Sequence, residues 1–86
     1  MWEVRYQRQA ARRLLRMPRD VAHRIRGRID TIAADPYADH PNATRLSGRD
    51  GDFRLRVGDW RVVYSLEPER RVMLVAVIDQ RGQVYR

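Results

Sequence analysis

Arg54, Arg56 and Arg61 have the strongest claim to chemistry in this sequence. Phe53, Leu55 and Val57 alternate with Arg54 and Arg56, the period-two pattern of a strand with one buried face, so both arginines point the same way. Gly58-Asp59 marks a two-residue turn, which places position 61 of the next strand nearly opposite position 56. Three guanidinium groups on one patch repel one another unless acids pair with them. Such a patch suits an anion, and the guanidinium fork matches phosphate oxygens with pairs of hydrogen bonds. Arg81 lies beyond the end of the strand expected to neighbour 60–66, and Tyr85 is close to the last residue. A sheet of this kind would gather Arg54, Arg56, Arg61, Arg81 and Tyr85 on one concave face. The plainer reading is an exposed strand face that carries arginine, with Tyr85 covering an edge.

Other chemistries find little support. With no cysteine, disulfides, thiolate nucleophiles and Cys-ligated metals are excluded. His23 falls on a helical stretch and His40 in a loop, with no spacing that makes a metal site, so no metal and no cofactor is expected. Asp50 and Asp52 sit beside glycine and read as turn chemistry. Gly48 and Gly51 do not fit a phosphate-cradling loop.

Charge gives the broadest constraint. Eighteen basic residues, every one of them arginine, face eleven acidic ones for a net charge of +7. Arginine codon bias accounts for the missing lysine, but the net excess calls for a polyanionic partner, nucleic acid or acidic protein. No apolar run is long enough for a signal peptide or a bilayer span, so the expectation is a cytoplasmic protein with no membrane partner.

The elements that must position the arginines follow from periodicity. Trp2, Val4 and Tyr6 alternate with polar residues as a strand does. Ala10, Ala11, Leu14 and Leu15 stand at helical spacing over 9–16, with Arg12, Arg13 and Arg16 assigned to the outer side. Pro18 suits the first turn of a second helix. That helix carries Val21, Ile25, Ile29, Ile32 and Ala33 on one stripe, and Asp35-Pro36 closes it. Residues 37–52 form a connection with a short extended piece near 44–46. Residues 53–66 read as a hairpin, and the almost wholly apolar 72–78 as a strand covered on both faces. A short extended piece at 83–85 ends the chain. The fold class is α+β over a single domain, 1–86: an N-terminal strand, a helical hairpin, then a mainly antiparallel sheet in the order β-α-α-β-β-β plus a short terminal strand.

With these elements in place, a resemblance emerges. The stretch 46–64, LSGRDGDFRLRVGDWRVVY, resembles the signature of the RelE/ParE toxin superfamily: a leucine–glycine pair, an aromatic-basic-apolar-basic strand, a glycine turn, and an aromatic-Arg-apolar-apolar-Tyr strand. Upstream, AARRLLRMP at 10–18 resembles the first helix and its proline junction, and IAADP at 32–36 the end of the second. Downstream, IDQRGQVY at 78–85 resembles the closing motif. Nearly the whole chain is covered, and order and spacing together carry the likeness.

The resemblance implies a toxin of a type II toxin–antitoxin pair. Closest is the RelE-like branch, which cleaves mRNA in the ribosomal A site without metal, the 2′-hydroxyl attacking the adjacent phosphate. Arg54 and Arg56 then correspond to the basic strand positions that bind RNA phosphate. Arg61 corresponds to the phosphate-stabilising arginine, Arg81 to the arginine of transition-state charge or leaving-group protonation, and Tyr85 to the tyrosine that orients substrate. The implied partners are the ribosome, mRNA and a cognate acidic RelB-like antitoxin, with the toxin alone monomeric. Many relatives carry lysine where this chain has Arg54 or Arg56, and Gln80 stands where histidine is often found. Arginine does not deprotonate, so the general base is unassigned. The alternative is the ParE-like branch, which binds and poisons DNA gyrase without cutting RNA; Arg61, Arg81 and Tyr85 together favour the ribonuclease branch.

Overall fold

A computed structural model of the chain describes residues 1–46 and 51–80. The alternating opening residues form β1 (Glu3–Tyr6), and two helices follow, α1 (Arg8–Arg16) and α2 (Arg19–Ala34). Four further strands follow among the described residues: β2 (Ala43–Arg45), β3 (Asp52–Val57), β4 (Trp60–Glu67) and β5 (Val72–Gln80). They form one sheet in the order β1-β5-β4-β3-β2. β1 runs parallel to β5, and every other pairing is antiparallel. The expected α+β class holds, with the short 44–46 piece realised as edge strand β2. The terminal piece expected at 83–85 lies outside the described residues.

Both helices pack on one side of the sheet. The α2 stripe of Ile25, Ile29, Ile32 and Ala33 is fully buried against Leu55, Val62, Met73, Val75 and Ile78, which are equally inaccessible. Val21, placed on the same stripe from sequence, packs only partly against this core. Pro18 stands at the N-cap, one residue before the helix rather than inside its first turn.

Helix α1 departs from its expected orientation. Leu15 is 81% exposed, whereas Ala10, Leu14 and Met17 are buried. Arg13, expected outside, turns inward: its guanidinium lies 5.1 Å from the Trp60 ring centroid and its Nη2 pairs with Asp79 Oδ1 at 3.0 Å. The inward face is therefore set by steps of four and three from position 10, a rotation that leaves Leu15 outside. Two rows of apolar residues were available, and the contact with β5 chose between them.

That contact has a specific anchor. β1 leaves β5 after the Tyr6–Val75 pair, so the edge of β5 beyond it would present open backbone groups. The Gln9 side chain closes it. Its Nε2 donates to the Ile78 carbonyl at 3.0 Å, and its Oε1 accepts from the Ile78 N–H at 2.9 Å. An amide side chain thus takes the place of a neighbouring strand. Gln9→Leu should leave both groups unpaired and lower stability by about 1–3 kcal/mol, read from the urea midpoint. An unchanged midpoint would show that water replaces the amide at no cost.

Tyr64 is the largest fully buried side chain, with its ring stacked on Phe53 at 5.2 Å and an interplanar angle of 8°. Burial pushes its phenol pKa up to about 12. The neutral phenol is the form that folding favours, so this contribution is fully present below the ordinary value near 10 and is lost as pH rises through 12. The protein should therefore lose stability between those two values, and Tyr64→Phe should flatten the loss. Denaturant midpoints measured against pH decide it; identical alkaline slopes in both proteins would count against the linkage.

Candidate functional site

The sheet face opposite the helices presents the expected arginine patch. In the β3–β4 ladder, Leu55 pairs with Val62 toward the helices, while Arg56 pairs with Arg61. Two residues, Gly58 and Asp59, make the turn between them, as expected from sequence. Gly58 adopts φ +58°, a left-handed conformation that a two-residue hairpin needs at its first position and that glycine adopts without strain.

Arg54, Arg56 and Arg61 line one shallow pocket of about 200 Å³, together with Asn42 and Thr44. The two polar residues were not singled out from sequence. Asn42 immediately precedes β2 in the left-handed conformation, φ 65°, which asparagine tolerates better than most residues. Its carbonyl accepts the Arg56 N–H at 2.9 Å, and its Oδ1 accepts Arg56 Nη2 at 3.4 Å. Thr44 lies opposite Arg54 in the β2–β3 ladder. The only sequence signal was a threonine in the short extended piece near 44–46, with an asparagine just before it.

The three arginines are held differently. Arg61 is buried, at 9% exposure, and its Nη1 donates to the carbonyls of Gly58 (3.3 Å) and Trp60 (3.2 Å). Its rotamer is thus fixed from behind by the turn that it follows. Arg54 is half-buried and Arg56 exposed. Asp79 stands opposite Arg61 in the β4–β5 ladder, but its carboxylate pairs with Arg13. Among the described residues Arg61 therefore has no ion pair, and its charge faces the pocket unneutralised. A buried, turn-anchored arginine and two more accessible ones thus share one small pocket. Arg81 and Tyr85 lie outside the described residues.

The remaining expectations concern binding of other kinds. Among the described residues, no group of three or more His, Cys, Asp or Glu side chains is placed to hold a metal ion. His23 is exposed on α2, and His40 bonds through Nε2 to the Asp35 carbonyl at 2.7 Å. No helix among them is long and apolar enough to cross a membrane.

Fold and site together define a small α+β protein with an arginine-lined open sheet face, the architecture expected of the RelE/ParE superfamily. The family described as ParE toxin of type II toxin-antitoxin system, parDE, matches residues 4–84. The chain belongs to that family, and is a toxin of a type II toxin–antitoxin system.

Solved RelE structures share the fold. RelE in the archaeal RelE–RelB complex of Pyrococcus horikoshii is 24% identical with a TM-score of 0.80, over 95% of this chain and 97% of that one. The isolated RelE toxin of E. coli is 16% identical with a TM-score of 0.82, over 99% and 92%. A chain of the toxin–antitoxin complex RelBE2 of Mycobacterium tuberculosis is 22% identical with a TM-score of 0.75, over 93% and 98%. Among curated proteins, none matches significantly.

Proposed function

We propose that this toxin is a ribosome-dependent endoribonuclease that cuts mRNA in the A site without a metal. The observation that carries the reading is the pocket in which Arg54, Arg56 and Arg61 converge, with Arg61 locked by two backbone carbonyls. In the reaction the substrate 2′-hydroxyl attacks the adjacent phosphorus. The O2′–P bond forms as the P–O5′ bond breaks, leaving a 2′,3′-cyclic phosphate and a 5′-hydroxyl. Negative charge builds on the non-bridging oxygens, where a prepositioned guanidinium stabilises it without reorganising.

Arg61 serves that role. Arg54 and Arg56 hold neighbouring phosphates, and Asn42 keeps the Arg56 guanidinium against β2. Arg81 is assigned to the leaving 5′-oxygen and Tyr85 to orientation of the substrate. The described lining consists of arginine, asparagine and threonine, none of which takes up a proton near neutral pH. Its contribution is therefore positioning and charge, with the hydroxyl proton passing to a group outside this lining.

RelE chains have been solved with RelB antitoxins from Pyrococcus horikoshii and Methanococcus jannaschii. By the same logic this toxin is a monomer neutralised by an acidic antitoxin that covers the basic surface, acting in the cytoplasm.

The test is primer extension on mRNA in a reconstituted translation mixture, with wild-type protein and an Arg61→Ala, Arg81→Ala double variant. Cleavage within codons that needs ribosomes and vanishes in the variant supports the reading. Intact mRNA with undisturbed translation rejects it. The second reading, gyrase poisoning, draws on the family match itself, whose description is ParE of parDE. Supercoiling assays with purified gyrase would then show inhibition by a chain that leaves mRNA whole.

A further inference from the structure

Two residues of α1 meet two consecutive residues of β5. Gln9 binds the backbone of Ile78, and Arg13 Nη2 pairs with Asp79 Oδ1 at 3.0 Å. A spacing of four puts Gln9 and Arg13 on one face of the helix, so the Gln9 clamp sets the register in which Arg13 reaches Asp79. The same Oδ1 accepts the Gln80 N–H at 3.2 Å. The Arg13 guanidinium also lies over the Trp60 ring, 5.1 Å from its centroid.

Asp79 has a second cation within reach. It stands directly opposite Arg61 in the β4–β5 ladder, and opposed side chains share a face with their Cβ atoms about 4.5–5.5 Å apart. An ion pair across the ladder is the ordinary outcome of such a register, since opposite charges stabilise a cross-strand pair. Arg61 is buried, and a buried charge is costly without a partner. The carboxylate goes to Arg13 instead. That pairing carries a cost of its own: among the described residues the buried Nε of Arg13 has no hydrogen-bond partner, so its desolvation is uncompensated.

We propose that Arg13 is a positioning residue for the arginine pocket: it holds the Asp79 carboxylate toward α1, keeps it from pairing with Arg61, and so leaves the Arg61 charge to an RNA phosphate. Arg13 does not line the pocket, so it acts through Asp79. The inference rests on the reading that this pocket binds RNA phosphate. Without Arg13 the carboxylate turns to Arg61 and supplies the negative charge that the phosphate would otherwise bring. Two guanidinium groups thus compete for one carboxylate, and phosphate binds at Arg61 when the one on the helix wins.

The test is fluorescence-anisotropy binding of the full chain to a labelled oligo-uridylate carrying 2′-O-methyl groups. This probe has phosphates but no attacking hydroxyl, so it stays intact. Arg13→Gln should lower the slope of log affinity against log salt by about 0.7, one phosphate contact on a single strand, and weaken binding at about 50 mM salt by about 5–10-fold. Arg12→Gln removes the same charge from the same helix at an exposed position outside the pocket, and should weaken binding far less. Asp79→Asn should bind at least as tightly as wild type, and adding it to Arg13→Gln should restore wild-type affinity. A merely structural ion pair predicts otherwise, because the loss of either partner breaks the same contact. Equal losses in Arg13→Gln and Asp79→Asn would therefore overturn the inference. So would an Arg13→Gln loss no larger than that of Arg12→Gln, or a double variant that stays weak. Arg61→Ala separates this failure from that of the pocket: if its loss also is no larger than that of Arg12→Gln, the pocket does not hold phosphate through Arg61 and both readings fall. If Arg13→Gln does not fold, Arg13→Met keeps an apolar stem against Trp60, removes the unsatisfied Nε and carries the same expectation.

Discussion

Arg61→Ala is expected to slow single-turnover cleavage of ribosome-bound mRNA by about 10²–10³-fold, the loss that follows removal of one prepositioned donor at a developing oxyanion. Arg61 should have the largest effect among the three described pocket arginines because it is the most constrained. Its Nη1 is spent on the carbonyls of Gly58 and Trp60, leaving the other guanidinium N–H groups in a fixed direction. Arg54 and Arg56 are more accessible, so ordering them on substrate takes more entropy and losing either should slow the reaction less. The same anchoring has a structural consequence. Alanine leaves both carbonyls without their donor, which should lower stability by about 1–3 kcal/mol. Rate and melting temperature must therefore be measured together, with cleavage assayed well below the melt. Arg61→Lys keeps the charge but not the fork, and should fall between wild type and alanine. A folded Arg61→Ala protein that cleaves at the wild-type rate would remove Arg61 from the chemistry.

Ile29→Ala should produce the largest loss of stability, about 2–5 kcal/mol for a buried isoleucine. A chain of 86 residues has roughly 4–13 kcal/mol of stability in all. Ile29 is wholly inaccessible on the α2 stripe and belongs to the core that α2 shares with the sheet. Since about 1 kcal/mol moves the melt of a domain this size by roughly 4–8 °C, a fall of at least about 10 °C is expected. Alanine is the better helix former, so any destabilisation must come from the cavity. Leu15→Ala is the internal comparison. That leucine is 81% exposed, and its truncation should change stability by no more than about 0.5 kcal/mol. Thermal melts of both variants decide the point; equal losses would mean that the described orientation of α1 is wrong.

The RelE structures show fold similarity at 14–24% identity. At that distance few residues are shared. What persists is the arrangement of the elements. For this reason the experiments centre on individual side chains, and a cleavage assay and a gyrase assay are run on the same variants.

Period and turn chemistry made much of this protein legible before any fold was known. Alternation in 53–57 and the Gly58-Asp59 turn required Arg56 and Arg61 to face each other, and the ladder pairs them. The α2 stripe was equally readable, because four isoleucine and alanine positions at helical spacing admit one buried face. Local pattern fails where two arrangements bury similar apolar area. On α1, Leu15 and Arg13 exchanged their expected places because a contact with β5, distant in sequence, selected the face. Nor could spacing reveal that Gln9 stands in for a strand at the β5 edge, that Asn42 and Thr44 line the pocket, or that Asp79 pairs with Arg13 rather than Arg61. Each of these depends on hydrogen-bonding groups brought together by the sheet order β1-β5-β4-β3-β2. The sequence alone determined which faces are apolar and where arginine accumulates; the tertiary structure decided which arginines are neutralised, because pairing depends on distance in space.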